Sequence, residues 1–202
     1  MRVKSRWKSG APKSLEENAG ALAYIAWRIA TEGAQNIQTA GWEIHAAAQR
    51  LDVIGEVVAF LTQSADRLAY HRMSDEERRR FITELAMRLA DTMQDNQLDM
   101  LRPRDHGGDY RGDQGGDQGA DYRATFIAKL NQRFEDYSEL DFTDEGPSYA
   151  FLRYFADKVA DLMGEKDKPW THAEVIEIEA PKALKTLKKA MQDLFSTNGA
   201  PG

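Results

Sequence analysis

Residues 44–68 read IHAAAQRLDVIGEVVAFLTQSADRL, and the spacing of their apolar side chains decides the fold. Ile44, Leu51, Val58 and Ala65 recur every seven residues and are joined by Ala47, Ile54, Leu61 and Leu68, an a/d seam of four heptads. A half-buried strand would instead alternate apolar and polar residues with period two, so the segment is committed to α-helix. On the heptad count Trp42, Gln49, Glu56 and Gln63 fall on the opposite, solvent-facing side, and His45 is on that wet side too. The periodic region runs from about Ile37 to Tyr70. Its seam needs a cover, either a helix of the same chain or a second copy.

Working outward, Ser14 and Glu17 form a capping box that can start a helix, and Leu15, Ala19, Leu22, Ala26 and Ile29 mark its apolar face. Gly33 is expected to weaken or end it, although residues 15–70 read either as one interrupted helix or as two. Downstream, Ser74 and Glu77 make a second capping box, with Asp75 and Glu76 at the favourable end of the helix dipole. That third helix has Phe81 or Ile82, Leu85, Ala86, Leu89 and Met93 on its face, and it ends by Leu101, ahead of Pro103. The short link at 71–74 implies antiparallel packing against helix two.

Residues 105–124 are five tetrapeptides each led by Asp, and six of the chain's 15 glycines lie there. Ordering so much glycine costs entropy with little apolar burial to offset it, so a flexible Asp/Gly-rich loop is expected over 104–121. Helix resumes near Tyr122 with Phe126, Ile127, Leu130, Phe134 and Tyr137, followed by an acidic connector over 135–145. Pro147 suits a first helical position, and Phe151 or Leu152, Phe155, Val159 and Leu162 form the next face before Gly164. Thr171 and Glu174 read as a third capping box, Pro181 as an interruption, and residues 182–195 as the last helix.

The expectation is therefore an all-α, antiparallel bundle of about six helices with helix two central. A flexible basic tail (1–13), a single helical domain (14–196) and a C-terminal tail (197–202) complete the organisation. A chain of 202 residues, 42% hydrophobic and 30% charged, can bury a sizeable core as one domain. The net charge of −6 argues against a surface built mainly for phosphate backbones. Cysteine is absent, which excludes disulfides, thiolate catalysis and Cys-ligated metals. The apolar run 19–30, flanked by Glu16 and Glu17 and carrying Arg28, is too short to span a bilayer, and a cytoplasmic protein is expected.

No nucleotide loop, nucleophile elbow or Glu-x-x-His pair occurs. The Asp-led repeat is rich in oxygen donors, but its period of four matches neither an EF-hand nor a nine-residue calcium repeat, so an expanded loop without a ligand is its reading. Glu43, Asp66 and His71 are the first candidates for a ligand or metal site, one that would be assembled from residues far apart in sequence. An imidazolium at a helix C-terminus is also structurally favourable without any function. Arg72, Arg78, Arg79 and Arg80 are candidate contacts for an anion or an acidic partner, since guanidinium groups bind such groups bidentately. Asp75 and Glu76 can instead pair with Arg79 and Arg80 as a solvated face. The aromatic group Phe134, Tyr137, Phe142, Tyr149, Phe151, Tyr154 and Phe155 reads as core.

The leading functional reading is a non-enzymatic helical interaction or regulatory module with a protein partner, or a homodimer through part of the Ile44–Leu68 seam. No cofactor is expected. A helical enzyme, or a ligand- or metal-binding protein with a site assembled between helices, is the alternative. A nucleic-acid binder using the basic tail at 2–13, with Trp7, is the third reading.

Overall fold

A computed structural model describes residues 13–39, 44, 46–70, 72–101 and 121–196. Among them the chain forms six helical rods and one short β-hairpin. The rods are α1 (Leu15–Thr39), α2 (Ala47–Ala69), α3 (Asp75–Leu101), α4 (Tyr122–Ser138) and α5 (Tyr149–Ala160). The sixth is continuous through α6 (Lys168–Glu174), a π-helical turn (Val175–Glu179) and α7 (Ala180–Ser196). The hairpin pairs β1 (Phe142–Thr143), at the end of the acidic connector, antiparallel with β2 (Gly146–Pro147) just beyond it. No helix among the described residues is long and apolar enough to cross a membrane.

Helix starts follow local chemistry. The Ser14 amide donates to Glu17 Oε2 at 2.9 Å and the Glu17 amide donates to Ser14 Oγ at 3.1 Å, and Ser74 with Glu77 repeats the arrangement. Two further caps were not anticipated. Asp121, the last Asp to lead a repeat unit, accepts from the Ala124 amide at 2.9 Å, and Ser148 accepts from the Phe151 amide at 3.2 Å. Pro147 is consequently the last residue of β2 rather than the first of α5.

Several boundaries differ from the sequence reading. Helix α1 runs uninterrupted through buried Gly33 to Thr39, and α2 starts at Ala47, so 15–70 makes two helices. The third capping box does not form, because Thr171 lies inside α6 and its hydroxyl donates to the Asp167 carbonyl four residues back. Pro181 does not break the last helix. Immediately before it the chain widens to the π register, where the Ala180 amide donates to the Val175 carbonyl, and Pro181 then sits in the first turn of α7.

Helix α2 is the central element, packed against α1, α3, α4, α5 and α7. Its seam residues Leu51, Ile54, Val58, Leu61 and Ala65 are buried, and so are Val53, Val57, Ala59 and Phe60 on other faces. Glu56 and Gln63, placed on the wet side by the heptad count, are 4% and 3% exposed. Over residues 53–65 the seam is thus one side of a helix wrapped all round, which is how an enclosed helix differs from a coiled-coil strand, while seam residue Ala47 is exposed and Leu68 only partly buried. Gly55 makes part of this wrapping possible, since a Cβ there would meet Phe126 Cε2 at 3.4 Å and Met93 Cε at 3.5 Å.

The directions of the rods follow from cross-links. Arg80 at the start of α3 donates to Glu16 at the start of α1 (2.6 Å), so these two helices run parallel. Arg78 in the first turn of α3 meets Asp66 near the end of α2, so α2 and α3 form an antiparallel pair. Lys182 near the start of α7 pairs with Glu32 toward the end of α1, while Phe195 at its other end packs on Phe81 of α3. Phe60 of α2 stacks on Phe155 with centroids 4.2 Å apart and meets Phe151 edge-on at 5.9 Å, so Phe151 and Phe155 of α5 are core, whereas Tyr149, read as core with them from the sequence, is exposed at the start of the helix. Phe142 of the hairpin packs on Phe151 as well, at 5.4 Å.

Candidate functional site

The two sets of candidate residues do not make two sites. Asp66 of the first set and Arg78 of the second are bonded to each other, with Arg78 Nη1 at 2.7 and 2.8 Å from the two carboxylate oxygens and the guanidinium over the Tyr70 ring at 5.3 Å. Asp66 therefore helps to close the α2–α3 hairpin. Asp75 also approaches Arg78 (3.7 Å), and Arg80 is taken by Glu16. Arg72 and Arg79 are exposed, Arg72 beside a groove that Arg67, Tyr70 and Phe142 also line. Glu43 and His71 lie outside the described residues, as do His45, the 104–120 stretch of the Asp/Gly repeat and both tails beyond Lys13 and Ser196. Among the described residues no group of three or more His, Asp or Glu could hold a metal ion.

The strongest electrostatic feature is a buried clamp between α2, α4 and α5. Arg133 grips Glu56 bidentately, Nε to Oε2 at 2.7 Å and Nη2 to Oε1 at 2.9 Å, and Lys129 Nζ adds a third contact at 3.2 Å. Arg133 also reaches Asp136 (3.4 Å), which accepts from Gln132 Nε2 (3.1 Å) and from the Tyr154 hydroxyl. Hydrogen bonding to Glu56 raises the Arg133 pKa further still. Burial first, then the bond to Asp136, pushes the Tyr154 phenol up. Burial works to raise the Asp136 carboxyl, but the hydrogen bonds from Tyr154 and Gln132 and the Arg133 charge outweigh it and hold Asp136 low. Every charged group here has a fixed partner, so the cluster fastens α4 and α5 onto α2.

A second carboxylate, half-buried, has a different setting. A cleft with a cavity volume of about 60 Å³ opens between α1, α7 and the π-turn. Its floor is Val57 of α2 and Phe155 of α5, with Ile37 and Val175 on the walls, and Gly33, Glu32, Glu179 and Lys182 line it from α1, the π-turn and α7. Glu32 and Lys182 pair with each other at 2.8 Å. Glu179, the last residue of the π-turn, accepts from the Asn36 side-chain amide at 3.1 and 3.2 Å. Among the described residues it has no cation within ion-pair distance, although the Lys182 charge is felt. Burial raises its pKa, the Asn36 bond and Lys182 counter that, and the negative charges of Glu174 and Glu32 add to the rise. Gly33 of α1 lies beside it, where a Cβ would stand 3.5 Å from Glu179 Oε2, in ordinary van der Waals contact.

The sequence reading missed Glu179, Asn36 and Gly33 as a set, and it gave His172 no partner, whereas its Nε2 lies 2.6 Å from Asp157 Oδ1 across the α5–α6 turn. Asn36 and Glu179 are 143 residues apart, so no local spacing joins them. A usable signal was present all the same: Gly33 inside a helical pattern and Pro181 inside another each break a local rule, and both positions border this cleft or its π-turn. Comparison of the chain with family models, with curated proteins and with solved structures found no match.

Proposed function

We propose that this chain is a non-enzymatic interaction module that self-associates through the α5–α6 hairpin and the π-turn. The observation that carries the reading is a set of large apolar side chains left in water along this arm: Trp170 is 68% exposed, Tyr149 67% and Ile178 52%. Trp170 and Ile178 are eight residues apart, two α-turns take about 7.2 residues, and the wider π-turn absorbs most of the remainder, so both fall close to one face. Tyr149 opens α5, the neighbouring helix of the hairpin. Exposed aromatic anchors of this kind supply the centre of protein interfaces.

A second copy is the partner these residues suit. Arg153, Lys158, Lys166 and Lys168 are interspersed with Asp157, Asp161, Glu165 and Asp167 on the same hairpin, and a surface carrying both signs can match itself about a two-fold axis. The heptad seam is not offered for this purpose, because Leu51 to Ala65 is spent inside the chain. The lack of cysteine is compatible with a cytoplasmic setting. The test is the native mass by light scattering or sedimentation over a wide concentration range. The wild-type chain should form a dimer that Trp170→Ser/Ile178→Ser converts to a folded monomer. A wild-type monomer at every concentration, or a dimer indifferent to the double substitution, overturns the proposal.

The second reading, a bundle that binds a small ligand between its helices, is favoured by the cleft at Glu179.

A further inference from the structure

We propose that the cleft between α1, the π-turn and α7 binds a small apolar primary ammonium, with Glu179 as counter-ion to its charged head. This rests on the cleft alone and not on the self-association proposed for the α5–α6 arm.

The charge balance sets the sign of the ligand. Glu32 and Lys182 neutralise one another at 2.8 Å, which leaves the Glu179 carboxylate met directly by a neutral amide, that of Asn36. An amide N–H occupies only part of the accepting capacity of the two oxygens. A half-buried carboxylate without a bonded cation is costly, and an ammonium entering the cleft would supply both the missing charge and up to three donors. An anion would face Glu32 and Glu179 together. A neutral apolar molecule would strip water from Glu179 and return no hydrogen bond.

The walls set the rest of the ligand. Val57, Phe155, Ile37 and Val175 offer a short alkyl chain apolar contact below the carboxylate. A volume of about 60 Å³ is far below the roughly 300–1,000 Å³ of drug-sized pockets, so the ligand is a few heavy atoms. Three unfavourable local choices meet here: glycine in the middle of α1, a π-turn in place of α-helix, and burial of an acid. Each costs stability on its own, and such departures from local rules collect at functional positions.

The full-length protein is titrated with n-butylammonium near neutral pH, with 1-butanol and butyrate as comparison probes, and followed by calorimetry or by amide chemical shifts around Gly33 and Glu179. Butylammonium should bind saturably and more tightly than either comparison probe. Glu179→Gln should weaken it at least about tenfold, the scale of a lost hydrogen bond between charged groups. Lys182→Met should strengthen it severalfold by releasing the Glu32 charge, a gain that damaged folding would not produce. The groups around Glu179 are Glu32 from α1, Glu174 before the π-turn and Lys182 from α7, while α2 and α5 present only Val57 and Phe155 to the cleft, so affinity should rise as pH passes through the Glu179 titration. Absent binding, binding no tighter than that of butanol or butyrate, or affinity unchanged in both variants overturns the proposal. The native-mass measurement is unaffected by any of these results.

Discussion

The α2–α4–α5 clamp buries a glutamate and the α1–α7 cleft half-buries one, and they treat it in opposite ways. Glu56 is 4% exposed and held by Arg133 at two points and by Lys129 at a third. Glu179 is less buried, yet its direct partner is a side-chain amide. A carboxylate removed from water needs a compensating charge, and where the fold supplies it the group acts as a fastener. Where the fold withholds it, the deficit can be filled from outside. The packing repeats the contrast: Gly55 lies under Phe126 and its space is filled, while Gly33 borders open volume.

Both regions hang on α2, which gives Glu56 to the clamp and Val57 to the floor of the cleft. The largest effect should come from loosening that helix. Leu51→Ala or Ile54→Ala should cost about 2–5 kcal/mol in denaturant unfolding, since both side chains are buried. A near-zero change would show that α2 is not the common support.

The next effect separates a fastener from a binding group. Arg133→Met should cost about 3 kcal/mol, at the low end for breaking a buried pair because Lys129 remains on Glu56. Glu56→Met added to it should recover much of that loss, since two apolar side chains leave no uncompensated charge. A double variant as unstable as the single one would mean that the clamp does more than fasten.

The smallest effect concerns the other glutamate. The folded chain holds the Glu179 proton more tightly than the unfolded chain does, because burial raises its pKa above the ordinary value of 4.5. Its contribution to stability is therefore present in full below that value and is lost as pH rises through the folded-state titration. Glu179→Gln should remove this part of the pH dependence of the melting temperature, so that the variant gains on the wild type as pH rises from 4 toward neutrality. Parallel profiles for the two proteins would show that Glu179 is as well compensated as Glu56.

How much of this was legible differs by feature. The capping boxes at Ser14 and Ser74 were, because the partners of a cap lie three residues apart and the chain alone brings them together. Thr171 and Glu174 carry the same pattern and form no cap, because α6 starts earlier, at Lys168 behind a turn from Gly164. Glu56 was assigned to water because a heptad count assumes a single buried face, although the run Val57-Val58-Ala59-Phe60-Leu61 around it is apolar on every side. Asp66 and Arg78 were both noticed, but for separate roles; the five-residue link 70–74 between α2 and α3 makes them partners.

The sequence by itself determined that the chain is helical, roughly where four of the six rods among the described residues begin, and that α2 is the helix the others surround. Those are consequences of period and of neighbours within one or two turns, which any single chain displays. Only the tertiary structure decided which buried acids are paired. Glu56 meets Arg133 across 77 residues and Glu179 meets Asn36 across 143, and whether a cation arrives at such a group depends on how rods distant in sequence are stacked.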